Sequence, residues 1–295
     1  MVLRAVNSVM NQTYPKIEII VVDDSDRDFP ERDEVERAVR NASEKIQYIK
    51  HEENRGGNAA RNTGLTRAEG YYVAFLDDDD KWLPGKIEEQ IKGFINNDIA
   101  LVYCTGYIIN QETGEKQIIS THFHKGMVFN ELLKMNFIGG ASNPLIKKAC
   151  IDRVDRFDEQ MESLQDYDLW LRISQIYPVN YIKKPLLNYY IHSRERISTN
   201  TAKKIAGIER NNEKFSEYIN RDKEAWYLHH MSFVPFYLKA YGRQKAFSQW
   251  LKCIQYQPAR VVNNLKHLIL IILGNQRYFA ITSRIKRITG RTGCV

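Results

Sequence analysis

Ile17-Glu18-Ile19-Ile20-Val21-Val22-Asp23-Asp24 is the stretch that decides the fold. A short β-branched run that ends in carboxylates reads as a buried parallel strand with acids at its carboxyl end. Upstream, Leu3, Val6, Val9 and Met10 fall at spacings of three and four, one face of a helix, and Gln12-Thr13-Tyr14-Pro15 breaks it. Downstream, residues 32–42 read as a charged helix, 46–50 as a short strand, 58–68 as a helix and 71–77 as a third strand, again ending in acids. Pro84 is expected in the first turn of the next helix, where its missing N–H costs nothing. Ile87, Ile91, Phe94 and Ile95 would form that helix's buried face, and residues 99–104 another strand. Strands and helices thus alternate to about residue 105, which predicts an α/β, doubly wound sheet with ligands at the carboxyl ends of its strands.

The rest of the chain is less regular. Residues 139–144 are turn-rich, Gln165-Asp166-Tyr167-Asp168 opens a helix with acids at its positive end, and everything after about Thr201 looks helical, with a hairpin around Gly242. We therefore expect an α/β domain over residues 1–200 and a helical C-terminal region over 201–295.

With 43% hydrophobic and 27% charged residues among 295, the chain has the composition of a globular protein, not a disordered one. The net charge of +7 is uneven, with no Asp or Glu from residue 275 to 295. No nucleic-acid-binding motif accompanies it, so no nucleic-acid partner is expected. Cys104, Cys150, Cys253 and Cys294 form neither a zinc knuckle nor a redox pair, which suits a cytoplasmic protein. The first residues lack the apolar core of a signal peptide. The longest strongly apolar run, residues 268–273, falls far short of the roughly 18–20 residues needed to span a bilayer. Two readings of the tail stand. Residues 265–273 with Arg277, Arg284, Lys286, Arg287 and Arg291 either lie on an anionic membrane surface, peripheral at the inner face of the plasma membrane, or form a buried helix with a solvated basic end.

Four segments carry chemistry: Val22-Asp23-Asp24-Ser25, Asn54-Arg55-Gly56-Gly57-Asn58-Ala59-Ala60-Arg61-Asn62-Thr63-Gly64, Phe75-Leu76-Asp77-Asp78-Asp79-Asp80-Lys81-Trp82-Leu83-Pro84, and Gln165-Asp166-Tyr167-Asp168-Leu169-Trp170-Leu171-Arg172. In this order and at these intervals they resemble family 2 glycosyltransferases of the GT-A fold, over roughly residues 1–200. Asp77 and Asp79, two apart, would face one way on an extended strand end. Two such hard oxygens can hold Mn2+ or Mg2+ and leave positions for diphosphate oxygens.

The resemblance implies an inverting transferase that uses a nucleotide-diphosphate sugar and a glycan or lipid-linked acceptor. It makes Asp79 the direct metal ligand with Asp77 assisting, and His192 a residue that reaches the metal or the diphosphate. Asp24 matches the aspartate that contacts the base, which favours a UDP-sugar because a carboxylate can accept the imide N–H of uracil. Asp23 and Asp78 flank those positions in the nucleotide site. Arg61 and Asn62 would make nucleotide or phosphate contacts, Ser142 would line the sugar pocket, and Asp166 would be the catalytic base. Relatives commonly carry Glu-Asp where this chain has Gln165-Asp166. Each residue also has an ordinary reading: a turn-forming acid for Asp24, a solvated acidic loop for the run at 77–80, and helix caps for Asp166 and for Arg61 with Asn62. Trp82 and Trp170 read as core or pocket wall.

The resemblance also implies an additional strand, apolar-Ser-apolar-Ile-Pro-x-Tyr-Asn in type, before the helix at Leu3, and this sequence does not contain it. Two functional hypotheses follow: an active transferase, or a truncated, inactive fragment that persists as a binding or scaffold protein. A nucleotidyltransferase is a weaker third, since no glycine-rich basic loop occurs near the start.

Overall fold

The computed structural model describes residues 1–119, 122–191, 200–274 and 278. After α1 (Val2–Met10), the β-branched run forms β1 (Ile19–Asp23), then α2 (Arg32–Ala42) and β2 (Ile46–Lys50). β1 and β2 pair in parallel, Ile19 opposite Ile46 and Asp23 opposite Lys50. Val6, Val39, Ile46 and Tyr48 pack with Ile19 and Val21 into one small core.

Next come α3 (Gly57–Arg67), β3 (Tyr72–Ala74), β4 (Lys81–Trp82), α4 (Lys86–Ile91), β5 (Leu101–Asn110), β6 (Lys116–Ile118) and α5 (Phe129–Lys134). β7 (Leu145–Lys147), α6 (Lys148–Arg153), α7 (Gln165–Ser174) and β8 (Val179–Ile191) follow. The second sheet runs β3-β7-β5-β8-β4, with β6 on β5. It is mixed: β5 and β8 are parallel, whereas β7 is antiparallel to both β3 and β5, and β4 is antiparallel to β8. Trp82, Ile87, Cys104, Leu145, Leu186 and Leu187 form its core.

Several local expectations change. β1 is half-buried, as is β3, because among the described residues each has a strand on one edge only. Leu101 to Gly106 in the middle of the second sheet are buried. Pro84 lies before its helix: Gly85, at φ +82°, takes the left-handed position and α4 starts after it. α4 ends at Ile91, so Ile95 falls outside it and is 73% exposed.

The chain divides into two compact units. The first comprises Met1–Leu132, Asn136–Gln160 and Gln165–Arg194; the second adds Leu133–Met135 and Met161–Leu164 to everything from Glu195 on. The second unit carries α8 (Thr201–Lys214), α9 (Ser216–Arg221), α10 (Lys223–Tyr241), α11 (Arg243–Tyr256) and α12 (Val261–Leu273). The Asp222 side chain caps α10 by accepting from the N–H groups of Glu224 and Ala225. Gly242 at φ +81° turns α10 into α11, the expected hairpin. Tyr227, Met231, Val234, Trp250, Cys253 and Ile271 are buried between these helices. No described helix is long and apolar enough to cross a membrane.

Candidate active site

The acidic run is a turn rather than an extended strand end. β3 stops at Ala74, and the Asp80 N–H closes a turn on the Asp77 carbonyl at 3.0 Å. Period-two alternation therefore does not set how Asp77 and Asp79 face. The turn is pinned from several sides. The Asp77 N–H donates to Ser142 Oγ at 3.0 Å. The Arg4 guanidinium donates to the Asp79 carbonyl and stacks 3.7 Å from the Tyr190 ring centre. Asp78 points to solvent, whereas Asp80 is buried. Burial pushes the Asp80 carboxyl up to about 7, with the Asp77 and Asp79 charges adding to this against a hydrogen bond from Ser142. Ser142, fully buried, thus supports the turn from beneath.

Arg61, on α3, donates to Asp77 Oδ1 at 2.8 Å. Burial opposes its charge, but the carboxylates of Asp77 and then Asp166 outweigh that and raise its pKa. One guanidinium therefore feels both the acidic turn and the first turn of α7, where Asp166 accepts from the Tyr167 N–H at 2.7 Å. Arg61, Asp77 and Asp166 are one cluster.

Asp24 lies at the end of β1 and accepts from the N–H groups of Arg55 at 2.8 Å and Gly56 at 2.7 Å. Its Oδ1 also meets His51 Nδ1 at 2.7 Å, and His51 Nε2 meets Thr63 Oγ1 at 2.9 Å. Asp23 is committed within the protein: it accepts from Ser25, from Arg32 Nε at 3.1 Å and from the Tyr48 hydroxyl at 2.8 Å. Burial alone would raise its pKa, but these bonds prevail and lower it. Asn62 is similarly occupied, donating to the Phe157 carbonyl and accepting from the Phe157 N–H. Both hold loops in place, as Asp24 also does. Asp168 is fully buried against Arg172 and is structural. His192 and the basic residues from Arg277 on lie outside the described residues.

The sequence reading missed His51, Arg4, Asn143 and Tyr189. Asn143 bonds Cys104 and the Ile138 carbonyl, locking the loop after Gly139. Trp170 Nε1 donates to the Gly139 carbonyl at 3.0 Å and Trp82 Nε1 to the Ser142 carbonyl at 2.8 Å, so both tryptophans are core residues that brace that loop. No local signal marks Tyr189, one of three tyrosines in β8. His51, by contrast, directly follows β2 at a sheet's carboxyl edge.

As a donor set, Asp77 and Asp79 supply hard carboxylate oxygens crowded by Asp78 and Asp80, a concentration of negative charge that a divalent cation relieves. Among the described residues no group of three or more His, Cys, Asp or Glu is placed to hold a metal alone.

Residues 1–153 match the family model for glycosyl transferase family 2. The chain belongs to that family. An uncharacterized glycosyltransferase of Rickettsia bellii is 33% identical over 65% of this chain and 28% of its own length, and one of Rickettsia prowazekii is 30% identical over 67% and 61%. The matches thus span less than two thirds of either relative. WfgD of Escherichia coli, named a UDP-Glc:alpha-D-GlcNAc-diphosphoundecaprenol beta-1,3-glucosyltransferase, is 29% identical over 68% of this chain and 76% of its own. Among solved structures, S. aureus TarS in complex with UDP-GlcNAc superposes with a TM-score of 0.61, at 18% identity over 88% of this chain and 78% of that one. The Pyrobaculum calidifontis mannosyltransferase PcManGT, solved with GDP-Man and Mn2+, gives 0.54 at 16% identity over 96% and 79%. The family 2 chain therefore has the GT-A fold, a mixed α/β sheet followed by helices.

Proposed function

We propose that this family 2 glycosyltransferase moves a sugar from a UDP-sugar to a hydroxyl of a glycan or lipid-linked acceptor, with inversion, during assembly of a cell-surface glycan. The observation that carries the reading is the Arg61 cluster, where one cation couples the acidic turn at Asp77 to Asp166. The names of WfgD and TarS's ligand support a uridine donor, and WfgD's acceptor supports a lipid-linked one.

Asp166 is the base: its carboxylate takes the proton of the acceptor hydroxyl as that oxygen attacks the anomeric carbon from the face opposite the leaving diphosphate. Asp79, with Asp77, would hold Mn2+ or Mg2+ on the donor diphosphate. PcManGT's Mn2+ supports that choice. When bound, the metal neutralises charge that builds on the leaving group. Arg61 fixes Asp77 and reaches the phosphates with Asn62, Asp24 faces the base end of the donor with Asp23 beside it, and Ser142 lines the sugar pocket while it holds the turn. Asp77 also contacts the ribose, and Asp78 flanks it in the nucleotide site. His192 is assigned to the same metal or diphosphate by resemblance alone.

Asp166→Asn should lower transfer by roughly 10²–10⁴-fold while nucleotide-sugar binding persists. Asp79→Ala should weaken metal-dependent binding itself. Transfer at the wild-type rate by Asp166→Asn would remove the assigned base. Donor binding with no transfer by the unsubstituted chain would leave the binding-protein reading instead.

For the second unit we propose a membrane-facing role. On α12, Val262, Leu265, Ile269 and Ile272 share one helical face and are 84%, 53%, 40% and 60% exposed, with Lys266 beside them. No acid occurs from Gly242 to the C-terminus. An apolar stripe in an all-basic segment suits an anionic bilayer that carries a lipid-linked acceptor. Failure to co-sediment with phosphatidylglycerol vesicles at low salt rules this out.

A further inference from the structure

We propose that His51 is a positioning residue for nucleobase selection: it holds one oxygen of Asp24 so that the other stands as a single, fixed acceptor for the imide N–H of uracil. The inference rests on Asp24 being the residue that meets the base.

His51 directly follows β2, beside the end of β1, and its backbone is held at both polar groups. Its N–H donates to the Asp23 carbonyl at 2.9 Å, and its own carbonyl accepts from the Arg32 guanidinium. The side chain is 7% exposed and bonded at both ring nitrogens, Nδ1 with Asp24 Oδ1 at 2.7 Å and Nε2 with Thr63 Oγ1 at 2.9 Å. Asp24 Oδ1 also accepts the Arg55 N–H, so Nδ1 is the donor in its bond. A hydroxyl can donate or accept, so Thr63 serves the other nitrogen in either role. Thr66, later on α3, puts its hydroxyl on the Asn62 carbonyl four residues back, the usual bond of a threonine inside a helix. Thr63 turns its hydroxyl to the imidazole instead. The ring is thus fixed by β1 and Arg32 at its backbone and by α3 at its far end, and it presents one N–H to Asp24.

A carboxylate offers about four acceptor positions, two on each oxygen. Oδ1 uses both of its own, on His51 Nδ1 and the Arg55 N–H, and Oδ2 uses one, on the Gly56 N–H. One position remains on Oδ2, and the side chain keeps 14% of its exposure. Donors on both oxygens stop the carboxylate turning, so that position is fixed in direction. Uracil brings one imide N–H between two carbonyls and fills a single acceptor. Cytosine has a lone pair at that ring atom, which the oxygen repels, and its donor is the exocyclic amino group beyond. Without His51, Oδ1 regains an acceptor position and the carboxylate can turn to meet that amino group. Arg55 and Gly56 do not prevent this by themselves, because both donate from one loop. His51 is the donor anchored to the sheet.

The test measures UDP and CDP binding, both with Mn2+, by isothermal titration calorimetry. The proteins are the wild type, His51→Ala, His51→Asn, Thr63→Val and Asp24→Asn, each below its own melting temperature. The ratio of the two affinities cancels the diphosphate and metal contributions and any general loosening of the site. The preference for UDP should fall at least about fivefold in His51→Ala, the equivalent of one ordinary hydrogen bond. In His51→Asn the amide nitrogen takes the place of Nδ1, and the preference should stay within about twofold of wild type. Thr63→Val should lower it in the same direction by a smaller factor, and carries the test where His51→Ala does not fold. The inference is overturned if UDP and CDP weaken by the same factor in His51→Ala, or in Thr63→Val in its place, the mark of a merely structural histidine. It is also overturned if His51→Asn is no better than His51→Ala. A wild type that binds UDP and CDP alike, or an Asp24→Asn that keeps the preference, removes the assignment of Asp24 and this inference with it. Loss of the preference in Asp24→Asn but not in His51→Ala retires this inference alone.

Discussion

Lys86→Met isolates the cost of burying a charge beneath the active site. Lys86 is fully buried. Its Nζ donates to Gln90 Oε1 at 2.6 Å and sits 4.4 Å from the Trp82 ring centre, and among the described residues no carboxylate pairs with it. Gln90 in turn bonds the Asn143 carbonyl, so this side chain belongs to the scaffold under the 139–143 loop. Burial pushes the Lys86 ammonium down to about 8 from its ordinary 10.5. Below about pH 8 the group is charged in the folded and unfolded chains alike, and the burial cost is present in full. Between about 8 and 10.5 the folded chain has released a proton that the unfolded chain still holds, so stability rises with pH across that window. At ~1.4 kcal/mol per pH unit the whole rise is about 3 kcal/mol. Methionine has the length to fill the same channel and still meet Trp82, but it leaves Gln90 Oε1 without its donor, a loss of about 1–2 kcal/mol. Lys86→Met should therefore be more stable than wild type by about 1–2 kcal/mol at pH 7 and lose that advantage by pH 10. Urea titrations at half-unit steps from pH 6.5 to 10 measure this directly. Parallel pH profiles for the two proteins would refute the assignment of a strained buried charge.

Gly207→Ala should destabilise the helical unit by more than about 2 kcal/mol, because a Cβ there would stand 2.5 Å from the Ser163 carbonyl oxygen, a backbone atom that cannot swing away; a melt within 1 °C of wild type contradicts this. His229 is buried with Nε2 on the Leu133 carbonyl, and burial lowers its pKa to about 4. The unfolded chain binds that proton first on acidification, so stability is lost as pH falls from about 6.5 toward 4. In His229→Gln the acid loss should shrink by up to about 3 kcal/mol, read from urea midpoints at pH 7 and 4.5.

Local sequence determined much of this protein. α2 and β2 fall on the expected residues because charge spacing and β-branched alternation are short-range signals. The helical hairpin is fixed by Gly242, and the family is shown by the match over residues 1–153, which hold the acids at 23–24 and 77–80. Tertiary structure decided what depends on partners remote in sequence. β4 is two residues long and exists because Lys81 and Trp82 pair with Asn188 and Leu187. Asp77 to Asp80 form a turn because Ser142 and Arg4 hold them from distant segments. Asp23, beside Asp24 in the sequence, is bonded by Arg32 and Tyr48 from other elements. Composition and period record which face a side chain takes on its own element; what that face meets depends on chain segments that sequence spacing does not relate.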